Sequence, residues 1–243
     1  MVQGRQYPNP PIAEAVVEFQ FPDSDSWDWT LPGKVQQLLG DRYPGSPRQQ
    51  LAVTMQPNGP TTTTVSRVFL PSQDGSRLVG VAPHVLSVHA IRRYAGWDAF
   101  RTEILEALDC YCGLNPPSGF VRVGVRYINH IRLPSDASVP PDLSALVRGG
   151  PSLSRESGLP SLLSSYVERV QGTYEDGSTI VRTIATLVVE DSNALLLDFD
   201  LNSPENPEPF AREAALAQMD LLRDRERSAF ESTITDETRR LFE

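Results

Sequence analysis

The residue types best suited to chemistry are the basic side chains that alternate with apolar ones in residues 119–134. With the two-residue period of a strand, one face carries Arg122, Arg126, His130 and Arg132. The opposite face carries Val121, Val123, Val125, Tyr127, Ile131 and Leu133, with Asn129 as its polar member. Positive charge at this density needs water, a ligand or carboxylates opposite it. The segment predicts a long central strand with one core face.

Two other predicted strands supply carboxylates. Glu14 and Glu18 share the polar face of residues 12–21, and Asp198 and Asp200 share that of residues 194–201. The candidate ligand-binding face therefore comprises Arg122, Arg126, His130, Glu14, Glu18, Asp198 and Asp200. A forked arginine there would bind the carboxylate or phosphate of a small polar ligand. A solvated or salt-bridged face is the favoured alternative, because antiparallel sheets commonly have one polar face.

Metal binding is a weaker interpretation of the same residues. Asp198 and Asp200 point the same way and would hold a divalent cation if a third oxygen ligand came from elsewhere. Pairing with arginine on a neighbouring strand needs no further ligand and is favoured. His84 and His89 face opposite sides of an unbroken strand, which disfavours a shared metal. We predict neither a metal site nor a cofactor.

No catalytic residue can be assigned from motifs. The sequence contains no G-x-S-x-G, no P-loop and no G-x-G-x-x-G. Cys110 and Cys112 lie two residues apart in a predicted helix, where their side chains diverge, so we expect two free thiols.

Composition limits the class of partner. The chain has 243 residues, 40% of them hydrophobic, and a net charge of −9, which argues against broad nucleic-acid binding. No signal peptide or membrane span is predicted, and we expect a cytoplasmic protein. A protein or a small polar ligand is the expected partner, and the oligomeric state is open.

The order of predicted elements repeats. Residues 12–21 (strand), 29–43 (helix), 51–56, 61–70 and 77–91 (strands) and 96–114 (helix) make one β-α-β-β-β-α unit, with Pro83 expected to bend or divide the last strand. Residues 119–134, 142–147, 166–174, 178–190, 194–201 and 207–230 make a second. The chain is thus predicted to be α+β, with a mostly antiparallel sheet and long helices packed on one side. The units span residues 1–115 and 116–243, within one integrated domain that favours a shared sheet.

Helical spacing predicts the inward side chains. They are Leu31, Val35, Leu38 and Leu39 in the first helix, and Phe210, Ala214, Ala217, Leu221 and Leu222 in the last long one. Near the C-terminus, Thr235 is expected to cap a final turn, and Ile234, Leu241 and Phe242 to dock on the domain.

Four segments together carry a family resemblance. They are Tyr7-Pro8-Asn9-Pro10-Pro11-Ile12 with Glu14-Ala15-Val16-Val17-Glu18, then Val123-Gly124-Val125-Arg126-Tyr127-Ile128-Asn129, then Leu196-Leu197-Asp198-Phe199-Asp200, and Phe230-Glu231-Ser232-Thr233-Ile234-Thr235-Asp236-Glu237. Over nearly its whole length the chain resembles the sporadically distributed prokaryotic proteins catalogued as the TIGR04255 family. The resemblance implies no known activity and no catalytic residues. The scattered distribution of the family implies an accessory or defence-associated role.

Two functional hypotheses follow. The first is a non-enzymatic binding or regulatory protein, which the duplicated plan, acidic charge and missing catalytic motifs favour. The alternative is a metal-dependent enzyme that uses Asp198 and Asp200 on a phosphorylated or nucleotide substrate.

Overall fold

The computed structural model describes residues 5–22, 27–56, 59–133, 143–149, 165–190, 192–206 and 209–243. Within these ranges the protein is α+β, as the sequence predicts, with nine strands and five helices. The strands are β1 (Ile12–Gln20), β2 (Arg48–Gln56), β3 (Gly59–Pro71), β4 (Arg77–Ala82), β5 (Val85–Ile91), β6 (Arg122–Arg132), β7 (Val167–Thr173), β8 (Thr179–Val189) and β9 (Ser192–Asn202). The helices are α1 (Leu31–Leu39), α2 (Trp97–Leu114), α3 (Leu143–Leu146), α4 (Arg212–Thr233) and α5 (Asp236–Arg240).

The strands form one antiparallel sheet in the order β2-β3-β4-β5-β1-β6-β9-β8-β7. The chain also divides into two compact units. The β1–β5 unit comprises Glu14–Gly124 and Glu205–Met219. The β6–β9 unit comprises Met1–Ala13, Val125–Pro204 and Asp220–Glu243. Among the helices in the described ranges, none is long and apolar enough to cross a membrane.

The core of the β1–β5 unit follows from the alternation in β1. Ala15, Val17 and Phe19 are fully buried, as predicted, because every second residue of a strand points to the same face. Just beyond the strand, the ring of Phe21 stacks on Tyr111 of α2, with ring centroids 4.8 Å apart. The alternate residues of β1, including its two glutamates, therefore lie on the opposite face of the strand.

Pro83 divides the predicted strand 77–91 into β4 and β5. A turn at residues 83–84 separates them, and the two strands pair antiparallel with Ala82 opposite Val85. Proline cannot donate a hydrogen bond within a ladder, which makes it compatible with this turn. Five strands thus come from the first half of the chain and four from the second. The duplicated plan stays a prediction.

The predicted inward face of α1 is wrong at one position. Leu31, Val35 and Leu39 are buried, but Leu38 is 57% exposed. The buried side of this nine-residue helix consists of Leu31, Val35 and Leu39, one turn apart, with Pro32 beside them, and Leu38 falls outside it.

The predicted inward face of α4 is shifted by one residue over much of its length. Ala214 and Ala217 are exposed and Leu221 is 38% exposed. The buried positions are Ala215, Met219, Leu222, Glu226, Phe230 and Thr233. The helix begins at Arg212, not in the predicted region around residue 207, which lies outside the described residues. Phe210 precedes the helix and forms an isolated bridge with Phe120.

The β6–β9 unit has the core face that the sequence predicts for its two longest apolar runs. Val125, Tyr127 and Ile131 of β6 are buried. Leu195, Leu197, Phe199 and Leu201 of β9 are also fully buried. The polar interruption at Asn129 is satisfied, because its Nδ2 donates a hydrogen bond of 3.2 Å to the carbonyl oxygen of Leu197.

The two ends of the described chain meet in the β6–β9 unit. The Tyr7 hydroxyl donates to the Glu231 carboxylate at 2.8 Å, and the backbone N–H of Asn9 donates to the Phe242 carbonyl at 3.0 Å. As predicted, Thr235 caps α5 by accepting from the Thr238 N–H at 3.3 Å. Ile234 and Phe242 are buried, whereas Leu241 is 39% exposed, so the predicted docking of Leu241 is wrong.

Candidate functional site

The strongest predicted pair lies in the β6–β9 unit. Arg126 of β6 donates from Nε to Asp198 Oδ1 at 2.9 Å and from Nη2 to Oδ2 at 2.7 Å. The aspartate of β9 therefore fills the forked geometry that the sequence hypothesis offered to a ligand. The Arg126 side chain is 45% exposed and that of Asp198 13% exposed, so the pair is visible at the surface.

Other polar residues of this face also have partners. Asp200 accepts from Asn202 Nδ2 at 3.0 Å, and Arg132 Nη2 lies 2.6 Å from Glu190 Oε2. The backbone N–H of His130 donates to the carbonyl of Pro11 at 2.8 Å. We call Arg126, His130, Arg132, Asp198 and Asp200 the β6–β9 charged face. Within it Arg126 pairs with Asp198, whereas Arg132 pairs with Glu190 and Asp200 accepts from Asn202, which border the face.

The predicted carboxylates of β1 bind partners that sequence reasoning did not assign to them. In the β1–β5 unit, Glu14 Oε1 lies 2.8 Å from His89 Nδ1, and Glu18 Oε2 lies 2.9 Å from Arg67 Nη1. His89 belongs to β5 and Arg67 to β3. Both pairs are half-buried.

Ser87 joins these two pairs into one chain of hydrogen bonds. Arg67 Nη1 donates to Ser87 Oγ at 3.0 Å, and His89 Nε2 lies 2.9 Å from the same oxygen. Ser87 has no exposed surface, and His89 is 9% exposed. We call Glu14, Glu18, Arg67, Ser87 and His89 the Ser87 cluster.

The direction of the hydrogen bonds in the cluster follows from which atoms can donate. A carboxylate only accepts hydrogen bonds, so the N–H at His89 Nδ1 donates a hydrogen bond to Glu14. In a neutral imidazole the other nitrogen then accepts, so Ser87 Oγ–H donates to His89 Nε2. The serine oxygen accepts in turn from Arg67. These three hydrogen bonds of the Ser87 cluster are therefore compatible with one another in a single arrangement of protons.

A glycine on the intervening strand makes this convergence possible. Gly80 of β4 lies opposite Ser87 of β5 on one side and Phe69 of β3 on the other. A Cβ at residue 80 would collide with Ser87 Oγ and come within 2.8 Å of Arg67 Cδ and 2.9 Å of Phe69 Cε1. The Arg67 side chain therefore crosses β4 over the space that glycine leaves empty.

Arg122 is the one predicted site residue with an unmet donor in the described part of the chain. It belongs to the β1–β5 unit, and its buried Nε has no hydrogen-bond partner there. In that same part of the chain, no group of three or more His, Cys, Asp or Glu side chains is arranged to hold a metal ion.

The pKa values of three further groups, Cys110, Cys112 and Glu226, are raised above their ordinary values. Burial raises the pKa of the Cys112 thiol to about 11 and also raises that of Cys110, so neither thiol is poised as a nucleophile. Burial likewise raises the pKa of Glu226 to about 7, although Arg223 and Arg227 act in the opposite direction. Glu226 is 4% exposed, and its Oε2 lies 2.8 Å from Arg223 Nη1.

A shallow groove of about 510 Å³ lies in the β6–β9 unit beside α4. Tyr174, Asp224, Arg225, Ser228, Ala229 and Ser232 line it. The Arg225 guanidinium lies over the Tyr174 ring, 4.2 Å from its centroid, and donates to both oxygens of Asp176. This arginine also donates to Ser178, a serine with no exposed surface. Through Arg225, the groove adjoins a second buried serine that accepts a hydrogen bond from an arginine.

Sequence reasoning missed Arg67 and Ser87, and considered His89 only as a metal ligand. The available signal was the spacing of Ser87 and His89, which lie two residues apart and so share one face of β5.

Comparison with known proteins does not identify this site, because no protein-family model and no curated protein matches the chain. The resemblance to the TIGR04255 family stays a prediction.

Proposed function

We propose that this protein is a binding or regulatory protein that docks a basic protein partner on the β6–β9 charged face. The observation that carries the proposal is the bidentate pair of Arg126 and Asp198. A small anionic ligand would need an open arginine fork, and the internal aspartate already fills this one. What the face offers is an ordered pattern of exposed, oriented charges, which suits a protein surface of complementary charge better than a free anion.

The sign of the partner follows from the charge of the chain. A net charge of −9 repels a second copy and attracts a positively charged protein over distances of about 8–10 Å at physiological salt. Electrostatic attraction of this kind speeds encounter, and the fixed pairs then define register. A second copy seated on the face is the competing occupant.

The finer predictions from the sequence belong to the same proposal. They are the TIGR04255 resemblance, two copies of a β-α-β-β-β-α plan at residues 1–115 and 116–243, long helices on one side, a cytoplasmic location and an accessory or defence-associated role. Genes of such a role commonly act with the products of their neighbours. The proteins encoded beside this gene are therefore the first partners to test.

The experiment removes the pair without changing net charge. Each neighbouring gene product is purified, and its binding to the immobilised chain is measured by biolayer interferometry. The double variant Arg126→Ala/Asp198→Ala is expected to weaken binding of the basic product at least tenfold. The control is Asp28→Ala/Lys34→Ala, which removes an exposed ion pair of 2.8 Å in the β1–β5 unit and should leave affinity within twofold.

Three outcomes contradict the proposal. Wild-type protein that binds no basic neighbour product would remove the partner. Equal losses in both double variants would remove the assignment to the face. Wild-type protein that is dimeric in light scattering, and monomeric after the Arg126/Asp198 change, would make a second copy the occupant.

The metal-dependent enzyme is the second candidate. Asp198 and Asp200 do share the face of β9 opposite to its buried leucines, but Arg126 takes up both oxygens of Asp198. Thermal unfolding with and without Mg²⁺ or Mn²⁺ tests it. Stabilisation by either cation that disappears in Asp198→Ala would support the enzyme, and an unchanged midpoint in wild type would contradict it.

A further inference from the structure

Ser87, His89 and Glu14 have the relative geometry of a nucleophile, a base and an orienting carboxylate. The serine Oγ lies 2.9 Å from His89 Nε2, and His89 Nδ1 lies 2.8 Å from Glu14 Oε1. Both distances fall within the range in which a histidine takes a proton from a hydroxyl while a carboxylate fixes its tautomer. The three residues come from only two strands, β1 and β5, which pair directly.

The position of Arg67 adds the fourth component of such a site. Its Nη1 lies 3.0 Å from Ser87 Oγ, so a positive charge stands beside the hydroxyl that gives up its proton, within reach of the substrate oxygen that would become negative. Glu18 holds the same guanidinium at 2.9 Å. A half-buried guanidinium (16% exposed) acts in a medium of lower dielectric than water, where its effect on a nearby oxyanion is larger.

We propose that Ser87 is an activated nucleophile that reacts with acyl and phosphonyl donors. This proposal does not depend on a partner at the β6–β9 charged face. With an ester, Ser87 Oγ bonds to the acyl carbon, its proton passes to His89 Nε2, and the C–O bond to the alcohol breaks. The alcohol leaves with the proton from His89, and water then hydrolyses the acyl-serine, which restores the hydroxyl.

The observed arrangement is a closed one, because Ser87 has no exposed surface and Arg67 lies against its oxygen. A reagent reaches the hydroxyl when the Arg67 guanidinium moves off Ser87 Oγ, and the guanidinium then donates to the oxygen of the reagent at which negative charge develops. Arginine side chains rotate about several single bonds, and the end of this one is held by a pair with Glu18 that is itself 27% exposed. We therefore expect Ser87 to react slowly with reagents, whereas a serine in an open cleft would react rapidly.

The chain supplies a matched control serine in the other unit. Ser178 has no exposed surface, donates to Asp176 Oδ1 at 2.8 Å and accepts from Arg225. Like Ser87 it is buried and accepts from an arginine, but in the described structure its hydroxyl donates to a carboxylate where Ser87 contacts a histidine. If burial beside an arginine were enough for reactivity, both serines would react alike.

The test exposes the full chain to a fluorophosphonate, whose P–F bond breaks when serine attacks phosphorus and fluoride leaves. Peptide mass spectrometry maps the adduct and intact mass gives the rate. We expect one adduct, on Ser87, forming about 100-fold more slowly in His89→Gln. The Ser178→Ala variant should react at the wild-type rate. Hydrolysis of p-nitrophenyl acetate measures turnover in the same set of proteins.

Folding of each variant is checked by circular dichroism before its rate is compared. Should His89→Gln fail to fold, the wild-type rate between pH 5 and pH 8 decides, because a histidine base predicts a rate that rises with pH. Folded wild-type protein with no adduct on Ser87 would overturn the proposal. So would labelling of Ser178 at an equal rate, an unchanged rate in His89→Gln, or a rate that is flat with pH.

Discussion

The paired charges of the β6–β9 charged face lie largely at the surface, whereas those of the Ser87 cluster lie half-buried around a serine that has no exposed surface. Arg126 is 45% exposed and Arg67 only 16% exposed, although each binds a carboxylate on another strand. The first arrangement consists of separate pairs, and the second is one directional chain of donors and acceptors. Similar residue types thus give two different surfaces.

The difference teaches what burial does to a charge pair. Exposed pairs gain little, because water and salt screen them and both side chains lose freedom. A half-buried pair is more costly to break, because the group left behind has lost its water and its partner together. The Ser87 cluster is therefore expected to be the stiffer of the two regions, and the β6–β9 charged face the more tolerant one.

Arg67→Ala should lower the stability of the protein more than substitution of Arg126 or Arg132. It leaves the Glu18 carboxylate without its ion pair and the buried Ser87 oxygen without a donor, and should lower the free energy of unfolding by about 3 kcal/mol. Urea denaturation measures the change. The matched substitution in the other unit, Arg126→Ala, should cost about 1 kcal/mol. A larger loss for Arg126→Ala than for Arg67→Ala would reverse the ranking.

Glu226 extends the comparison, because it is a buried carboxyl in the same unit as the exposed pairs of the β6–β9 charged face. Burial raises its pKa from 4.5 to about 7, so the folded state holds the proton more tightly than the unfolded chain. Stability is therefore lost as the pH rises from about 4.5 to about 7, by up to about 3 kcal/mol. Glu226→Gln should remove this loss.

The measurement is urea unfolding at several pH values. Wild type and Glu226→Gln should have similar stability near pH 4.5, and the variant should be more stable above pH 7. Asp224→Asn, at an exposed position of the same helix, is the control and should follow wild type. If wild type and Glu226→Gln respond to pH in parallel, folding does not raise the pKa of Glu226.

Arg132→Ala tests the stability contribution of a highly exposed ion pair. Arg132 and Glu190 lie 2.6 Å apart with side chains 62% and 61% exposed, so their removal should cost less than about 0.5 kcal/mol. Because such a pair is screened, even this small cost should vanish in 1 M salt. A cost above 1 kcal/mol that persists in salt would show that exposure is a poor guide to these pairs.

The β6–β9 charged face could be predicted from the sequence, because polar and apolar residues alternate along its strands. Arg126 and Asp198 stand on polar faces of apolar strands, and charge complementarity suffices to suggest their pairing. The Ser87 cluster could not be found in this way. Arg67 reaches Ser87 across the whole of β4, and only the register that sets Gly80 opposite Ser87 makes room for it.

The errors in the fold have similar physical causes. Helical spacing identified an apolar stripe in α4, but the phase of that stripe depends on where the helix begins and on what it packs against. Glu226 occupies a buried position that no hydrophobic pattern would assign to it. By contrast, the apolar faces of β1, β6 and β9 were predictable. The side chains of a strand alternate between only two faces, and in these strands one of the two faces is clearly the apolar one.

The contact between Tyr7 and Glu231, 224 residues apart, has a consequence for synthesis on the ribosome. Tyr7 and Asn9 are synthesised long before their partners Glu231 and Phe242. The hairpins of β2 to β5 can pair while translation continues, since their partners are close in the chain. The contacts of Tyr7 and Asn9 form only after residues 231–242 have left the exit tunnel, so the β6–β9 unit is completed later than the hairpins of the β1–β5 unit.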